Sequence, residues 1–339
     1  MLEIRVGGKD CDFSNISEAV NAVPYAVEAV IYIGEGVYRE KIFSDKKNIA
    51  FIGEGPDKTI LEYDDGALNM MEDGTKRGTF RTYTAFFGGE KTVVKNMTIR
   101  NTAGSGRKVG QALAVYADAS VCYFENVRLL GHQDTLFMSP LPMAEREKKG
   151  FMGPRVLTER LLTRQYYKNC YISGDVDFIF GGADAVFDDC DIVVNDRYKD
   201  GSLTLKDGER AINGYVTAGC GLKSGIGMIF RRCSIKGEES CAKGSVFLGR
   251  PWRDEARAVF LDCIMDDTIA QERFSGWGSI EKAYPDTFYG EWRTVDGAGN
   301  SIDLSMKNPW VRVIDNEMYS EINKQAEDII NIVEMESRT

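Results

Sequence analysis

The chain has 339 residues, 43% hydrophobic and 28% charged, with 35 Gly, 8 Pro, 8 Cys and a single histidine, His132. That composition supports one elongated domain or two compact ones. A formal net charge of -10 argues against a nucleic-acid or anionic-membrane surface held by bulk electrostatics, and one histidine excludes poly-histidine metal sites and leaves any Ser-His-Asp or Cys-His scheme dependent on that residue.

The chain opens "MLEIRVGGKDCDF", with neither a basic n-region nor an apolar h-region, and no later apolar run reaches the length of a membrane span. Together with many cysteines expected to be free, this favours a cytoplasmic location, with secretion as the alternative. The stretch "NISEAVNAVP" (15–24) places Ile16, Ala19 and Val20 on one helical face and stops at Pro24, which predicts an N-terminal capping helix. A second helix is expected in the C-terminal tail, 316–339, through "SEINKQAEDIINIVE".

Between them the chain reads as short strands built on a repeat. One slot recurs in "VVKNMTI" (93–99), "YFENVRL" (123–129), "YYKNCYI" (166–172), "VFDDCDI" (186–192), "IFRRCSI" (229–235) and "VFLDCIM" (259–265). An apolar or aromatic residue is followed two positions later by one that is mostly Asn or Asp. The slot itself comes next and holds Met97, Val127, Cys170, Cys190, Cys233 or Cys263. Four of the eight cysteines thus share one repeated position, and no CxxC pair occurs. A buried thiol is a small hydrophobe, so stacked repeats would pile these residues into an internal column rather than a disulfide framework or a zinc knuckle. Units of 20 to 30 residues with variable insertions suit a right-handed parallel β-helix better than a sandwich.

The repeat also aligns two acids. Asp134 lies seven residues after Val127, and Asp177 seven after Cys170. The Pro- and charge-rich stretch 138–162 between these repeats reads as an inserted loop. Residues in equal register on adjacent parallel strands sit about 4.8 Å apart. Two carboxyls that close cannot both ionise comfortably, so one should keep its proton and the other its charge, which suits a proton donor beside a nucleophile or base. Asp175 is the competing acid in "SGDVDFIFGG" (173–182). Strand alternation puts it on the same face as Asp177, with Val176 and Phe178 opposite.

"GHQDTLF" (131–137), "GDVDFIFGGADAVF" (174–187), "FLGRPW" (247–252) and "QALAVYAD" (111–118) closely resemble the signature segments of the pectin methylesterase family. "GTFRTYTA" (78–85), "VKNMTIRNTAG" (94–104) and "TFYGEW" (287–292) extend the resemblance over roughly residues 10–300. The resemblance implies a single β-helix domain with an open cleft that binds methyl-esterified homogalacturonan or oligogalacturonides. It further implies hydrolysis of C6 methyl esters by a carboxylic ester hydrolase with no cofactor; a monomer is expected. By motif, Asp177 matches the nucleophile, Asp134 the acid/base, Gln111 and Gln133 the oxyanion donors, and Arg250 the residue that positions the nucleophile. The expected sugar contacts are Trp252, Phe178, Phe137, His132 and position 80, in the Thr79–Phe80 step.

His132 and Asp175 depart from the family pattern, which often has Tyr and usually Thr there, and Asp175 is expected to tune the neighbouring acids. The loop 138–162 follows the acid/base directly and is expected to wall part of the cleft. A polygalacturonase, a pectate lyase or a non-catalytic pectin-binding β-helix are the alternatives, and none of them calls for this set of five residues together.

Overall fold

The residues that precede the repeated slot are corners. Asn96, Asn126, Asn169, Asp189, Arg232 and Asp262 all have φ between 51° and 55°, the left-handed region that Asn and Asp enter most readily among residues with a side chain. Asn96 and Asn126 bend the continuous strands Lys91–Asn101 and Val121–Leu130, whereas the later corners end one short strand and start the next: Arg164–Lys168 turns into Tyr171–Gly174, Asp184–Asp188 into Asp191–Val194, and Met228–Arg231 into Ser234–Gly237. The structure, a computed structural model, describes residues 1–201 and 203–337.

Every strand pairs parallel with the equivalent strand one coil away, winding a right-handed parallel β-helix. Met97 lies opposite Val127. The neighbouring register, Arg128 to Tyr171 to Asp191 to Ser234 to Ile264, stacks Val127, Cys170, Cys190, Cys233 and Cys263 in one column. All six slot residues are at most 2% exposed, and the eight cysteines are free. Thr59 and Thr294 continue the column at its two ends.

Beside this column runs a second one of aromatic rings. Phe124, Tyr167, Phe187, Phe230 and Phe260 stack at centroid distances of 4.9, 4.5, 4.4 and 4.6 Å, with planes within 8° of parallel. Burying each ring contributes about 2–3 kcal/mol, and the stacking adds to it.

The coils place their strands in a 17-stranded sheet that bends at the corners and in a separate 7-stranded sheet. The 7-stranded sheet carries the candidate site. Helix Ile16–Ala22 buries Ile16, Ala19 and Val20 against the first coils, and the Glu40 carboxylate accepts from the N–H groups of Ile16 and Ser17 at its start, both at 2.8 Å. The C-terminal helix Asn316–Ser337 lies on the outer face of the larger sheet, where Ile322, Ala326, Ile329 and Val333 cover Tyr123 and Tyr166. Residues 338 and 339 of the expected tail lie outside the described residues. Among the described residues, no helix is long and apolar enough to cross a membrane.

Between strands Leu136–Met138 and Arg164–Lys168 the chain leaves the coil without forming a strand. This excursion is tied back by the Arg155–Asp118 ion pair at 2.5 Å.

Candidate active site

Four neighbouring strand segments of the smaller sheet build the site: Leu136–Met138, Val176–Gly181, Gly214–Gly219 and Val246–Gly249. Leu136 pairs with Ile179, which brings Asp134, in the turn just before its strand, beside Asp177. The Asp134 N–H donates to the Val176 carbonyl at 3.0 Å, and the buried Thr135 hydroxyl ties down the carbonyls of His132 and Ser173.

Both aspartates have positive φ, 65° at Asp134 and 52° at Asp177. Asp177 also sits in a bulge, because Val176 pairs with Tyr215 while Ile179 pairs with Thr217. A bulge adds one residue to a strand and re-aims its side chains. Here it points Asp177 out of the coil while Phe178 stays inside.

Arg250 follows the last of the four strands, anchored by its N–H on the Thr217 carbonyl at 2.9 Å. Its guanidinium grips Asp177 with both arms, Nε to Oδ1 at 2.8 Å and Nη2 to Oδ2 at 2.7 Å. A planar fork on a carboxylate is a strong, direction-fixing contact. The guanidinium lies between two rings, 4.1 Å from the Tyr215 centroid and 4.4 Å from that of Trp277, which holds it in place.

Asp134 is 7% exposed, and its pKa is pushed well above the ordinary carboxyl value. Burial is the largest cause, followed by the Asp177 charge; Asp175 adds to the rise, while Arg250 and a hydrogen bond from Gln133 oppose it. The two acids thus have different surroundings: Asp177 is held as half of an ion pair, and Asp134 is favoured as the neutral acid.

Gln111, Gln133, Asp134, Asp177, Arg250 and Trp252 line one cavity of about 260 Å³. Gly106 lies so close to Gln133 that a Cβ there would meet its side chain at 2.6 Å. The glycine therefore leaves the amide its place at the rim.

Three expected sugar contacts are corrected. Phe178 is fully buried within the coil among the interior hydrophobes. The reason is strand alternation, which turns it to the face opposite the cleft-facing Asp177. Phe137 faces outward but is wholly covered by Phe80 and Phe180, at centroid distances of 5.0 and 4.9 Å. Those two rings line the cavity in its stead, together with Thr79; position 80 is a phenylalanine, and the threonine of that step is its neighbour. His132 opens into a second cavity of about 640 Å³ with Lys108, Asn195 and Arg197. Asp175 lines this second cavity too, its Oδ2 3.3 Å from His132 Nδ1, because the bulge breaks the alternation that would have set it beside Asp177.

The pectinesterase family model matches residues 5–141 and 160–326. The chain belongs to the pectinesterase family. A probable pectinesterase/pectinesterase inhibitor 64 of Arabidopsis thaliana is 34% identical over 90% of this chain and 46% of its own length. Pectinesterase 31 of the same plant is 30% identical over 90% of this chain and 86% of its own length. The chain spans about half the length of several of the curated relatives it matches. Pectin methylesterase from carrot superposes with a TM-score of 0.73 at 26% identity, covering 94% of this chain and 89% of that one.

The stretch left out of the family match, 142–159, falls inside the excursion from the coil. In this member of the pectinesterase family it reaches the cavity, which Arg146, Glu147, Gly150 and Phe151 also line. Phe151 packs edge-on against Trp252 at 6.2 Å. Sequence reasoning missed Tyr215, Trp277, Phe151, Phe180, Arg146 and Arg253. Tyr215 was accessible in principle as the strand neighbour of Val176; Trp277, Phe151 and Arg146 lie in irregular segments with no repeat to register them.

Proposed function

We propose that this chain hydrolyses the C6 methyl esters of galacturonate units in homogalacturonan or its oligomers, releasing methanol. The observation that carries the reading is a carboxylate gripped by Arg250 beside a buried acid whose pKa is raised, both opening into one cleft. Membership of the pectinesterase family supports it.

Asp177 attacks the ester carbonyl carbon, and the carbonyl oxygen takes the negative charge. The side-chain amides of Gln111 and Gln133, at the same cavity, are the candidate donors to that oxyanion. Collapse breaks the bond to the methoxy oxygen, which takes the proton of Asp134 and leaves as methanol. Asp134, now a carboxylate, removes a proton from water. The resulting hydroxide attacks the acyl-enzyme, which frees Asp177, releases the galacturonate carboxyl and leaves Asp134 protonated again.

Methanol released from methylated pectin is the measurement. Asp177→Ala and Asp134→Ala should each lower its rate by roughly 10³-fold or more. Undiminished release by either variant overturns the mechanism, and new reducing ends or unsaturated products without methanol overturn the activity.

A further inference from the structure

The second cavity, of about 640 Å³, shares no lining residue with the one that holds Asp134 and Asp177. Most charges on its walls are already met. Lys108 pairs with Asp200 at 3.0 Å and Lys199 with Glu238 at 3.6 Å, while the Asp196 carboxylate accepts from the Tyr198 N–H and the Asn213 amide. Two lining groups keep free hydrogen-bonding capacity, the Arg197 guanidinium and the His132 imidazole. Among the described residues Arg197 forms no ion pair, and the only hydrogen bond of its guanidinium runs from Nη1 to the Ile212 carbonyl at 3.4 Å.

His132 is the one histidine of the chain and takes no part in the methyl-ester chemistry. Its Nδ1 lies 3.3 Å from Asp175 Oδ2. Asp175 is 2% exposed, and its other oxygen accepts the Val176 N–H at 2.6 Å. The backbone between the two is pinned as well, because the His132 carbonyl accepts from the Asp175 N–H at 3.0 Å and from the Thr135 hydroxyl at 3.2 Å. A carboxylate only accepts, so the neutral imidazole carries its proton on Nδ1 and presents a lone pair on Nε2. Among the described residues no protein group meets Nε2. An imidazole oriented by a buried carboxylate, with its far nitrogen bare, is the arrangement of a general base.

A base and an unneutralised cation in one cavity suit the hydrolysis of an acyl group whose carbonyl oxygen becomes negative. We propose that His132, Asp175 and Arg197 form a second ester-hydrolysing site, separate from the cleft, that takes short-chain acyl esters such as acetates. His132 Nε2 removes a proton from water as the water oxygen bonds to the acyl carbon. The carbonyl oxygen takes the electron pair and its charge, which the Arg197 guanidinium meets. Collapse restores the carbonyl and breaks the bond to the alcohol oxygen, which takes the proton back from Nε2. Acid and alcohol leave, and His132 is neutral again. Asp175 is a positioning residue that holds the ring and offsets the charge of the imidazolium. Ala103 and Val109 are the aliphatic side chains of this cavity, enough to contact a short acyl chain and too few to bury a long one.

The test is turnover of p-nitrophenyl acetate by Asp177→Ala, which lacks the nucleophile of the cleft. Nitrophenolate is followed well beyond one equivalent per chain, so that simple acylation of surface groups does not count. Asp177→Ala should retain most of the wild-type turnover. In that background His132→Gln should lower kcat/KM roughly 10²-fold or more, and Asp175→Asn, which leaves the imidazole in place, roughly tenfold or more. Arg197→Gln should lower kcat roughly tenfold or more, with Arg197→Lys recovering part of it. Because Arg197 is held by one long hydrogen bond, its variants keep the test decisive if a change at His132 or Asp175 lowers Tm. Turnover lost in Asp177→Ala assigns the activity to the cleft and overturns the second site. Turnover equal with and without His132, or with and without Arg197, overturns it too. Methanol release is a separate measurement, so failure of either reading leaves the other standing.

Discussion

At the residue scale the site rests on two carboxyls placed in unlike surroundings by one bulge. Asp177 receives both arms of Arg250, while Asp134 is buried with a like charge beside it. Asp175 contributes to the same imbalance from the neighbouring cavity, where it meets His132. Its negative charge disfavours the ionised form of Asp134 and so raises that pKa. Asp175→Thr removes the charge, lowers the pKa of Asp134, and makes the acid lose its proton at lower pH. Since Asp134 must carry a proton when methoxide departs, the alkaline limb of kcat/KM should move to lower pH, with activity retained at the optimum. A pH profile of methanol release checks both the direction and the survival of activity.

At the element scale the fold depends on its corners. Asn169 holds φ 51° between two strands of one coil, and its N–H donates to the Asp188 carbonyl at 3.0 Å. Asn enters this region at low cost because its short polar side chain suits it, whereas alanine enters at a cost of about 1–2 kcal/mol. Asn169→Ala should lose about that much unfolding free energy in denaturant titration, and Asn169→Gly should lose less. The corner also explains the spelling of the repeat. A left-handed residue selects Asn or Asp, and the next side chain turns inward onto its equivalent one coil away, which selects a small hydrophobe such as Cys.

At the scale of the whole molecule, the two sheets divide the work. The larger one is covered outside by helix Asn316–Ser337, through Ala326 at 0% exposure and the ion pair of Arg231 with Glu327 at 2.5 Å. The smaller one carries the cleft. Because each coil touches mainly its neighbours, a disturbance on one face need not reach the other. Ala326→Glu places a charge against Tyr123 and Tyr166 and should cost about 1–3 kcal/mol. It should lower Tm and increase binding of a hydrophobic dye, while leaving methanol release unchanged well below the transition. A parallel loss of kcat at low temperature would show that the helix also supports the cleft.

The repeat, and with it the β-helix, was legible because stacking like on like repeats the same local demand in every coil: a left-handed Asn or Asp, an inward small residue, an aromatic ring. The adjacency of Asp134 and Asp177 followed from the same register, since equal offsets from equal slots arrive at equal heights. The sequence could not assign the neighbours of those acids. Alternation would have put Asp175 with Asp177 and turned Phe178 away from both; beyond the bulge Asp175 instead joins His132 in a second cavity, and a bulge is set by pairing with a strand nearly forty residues later. Trp277, Phe151 and Arg146 reach the cleft from segments with no periodicity, so only the folded chain brings them there. Local periodicity wrote the scaffold and the catalytic pair into the order of the residues; irregular loops, which follow no register, decided in three dimensions what the cleft presents to its substrate.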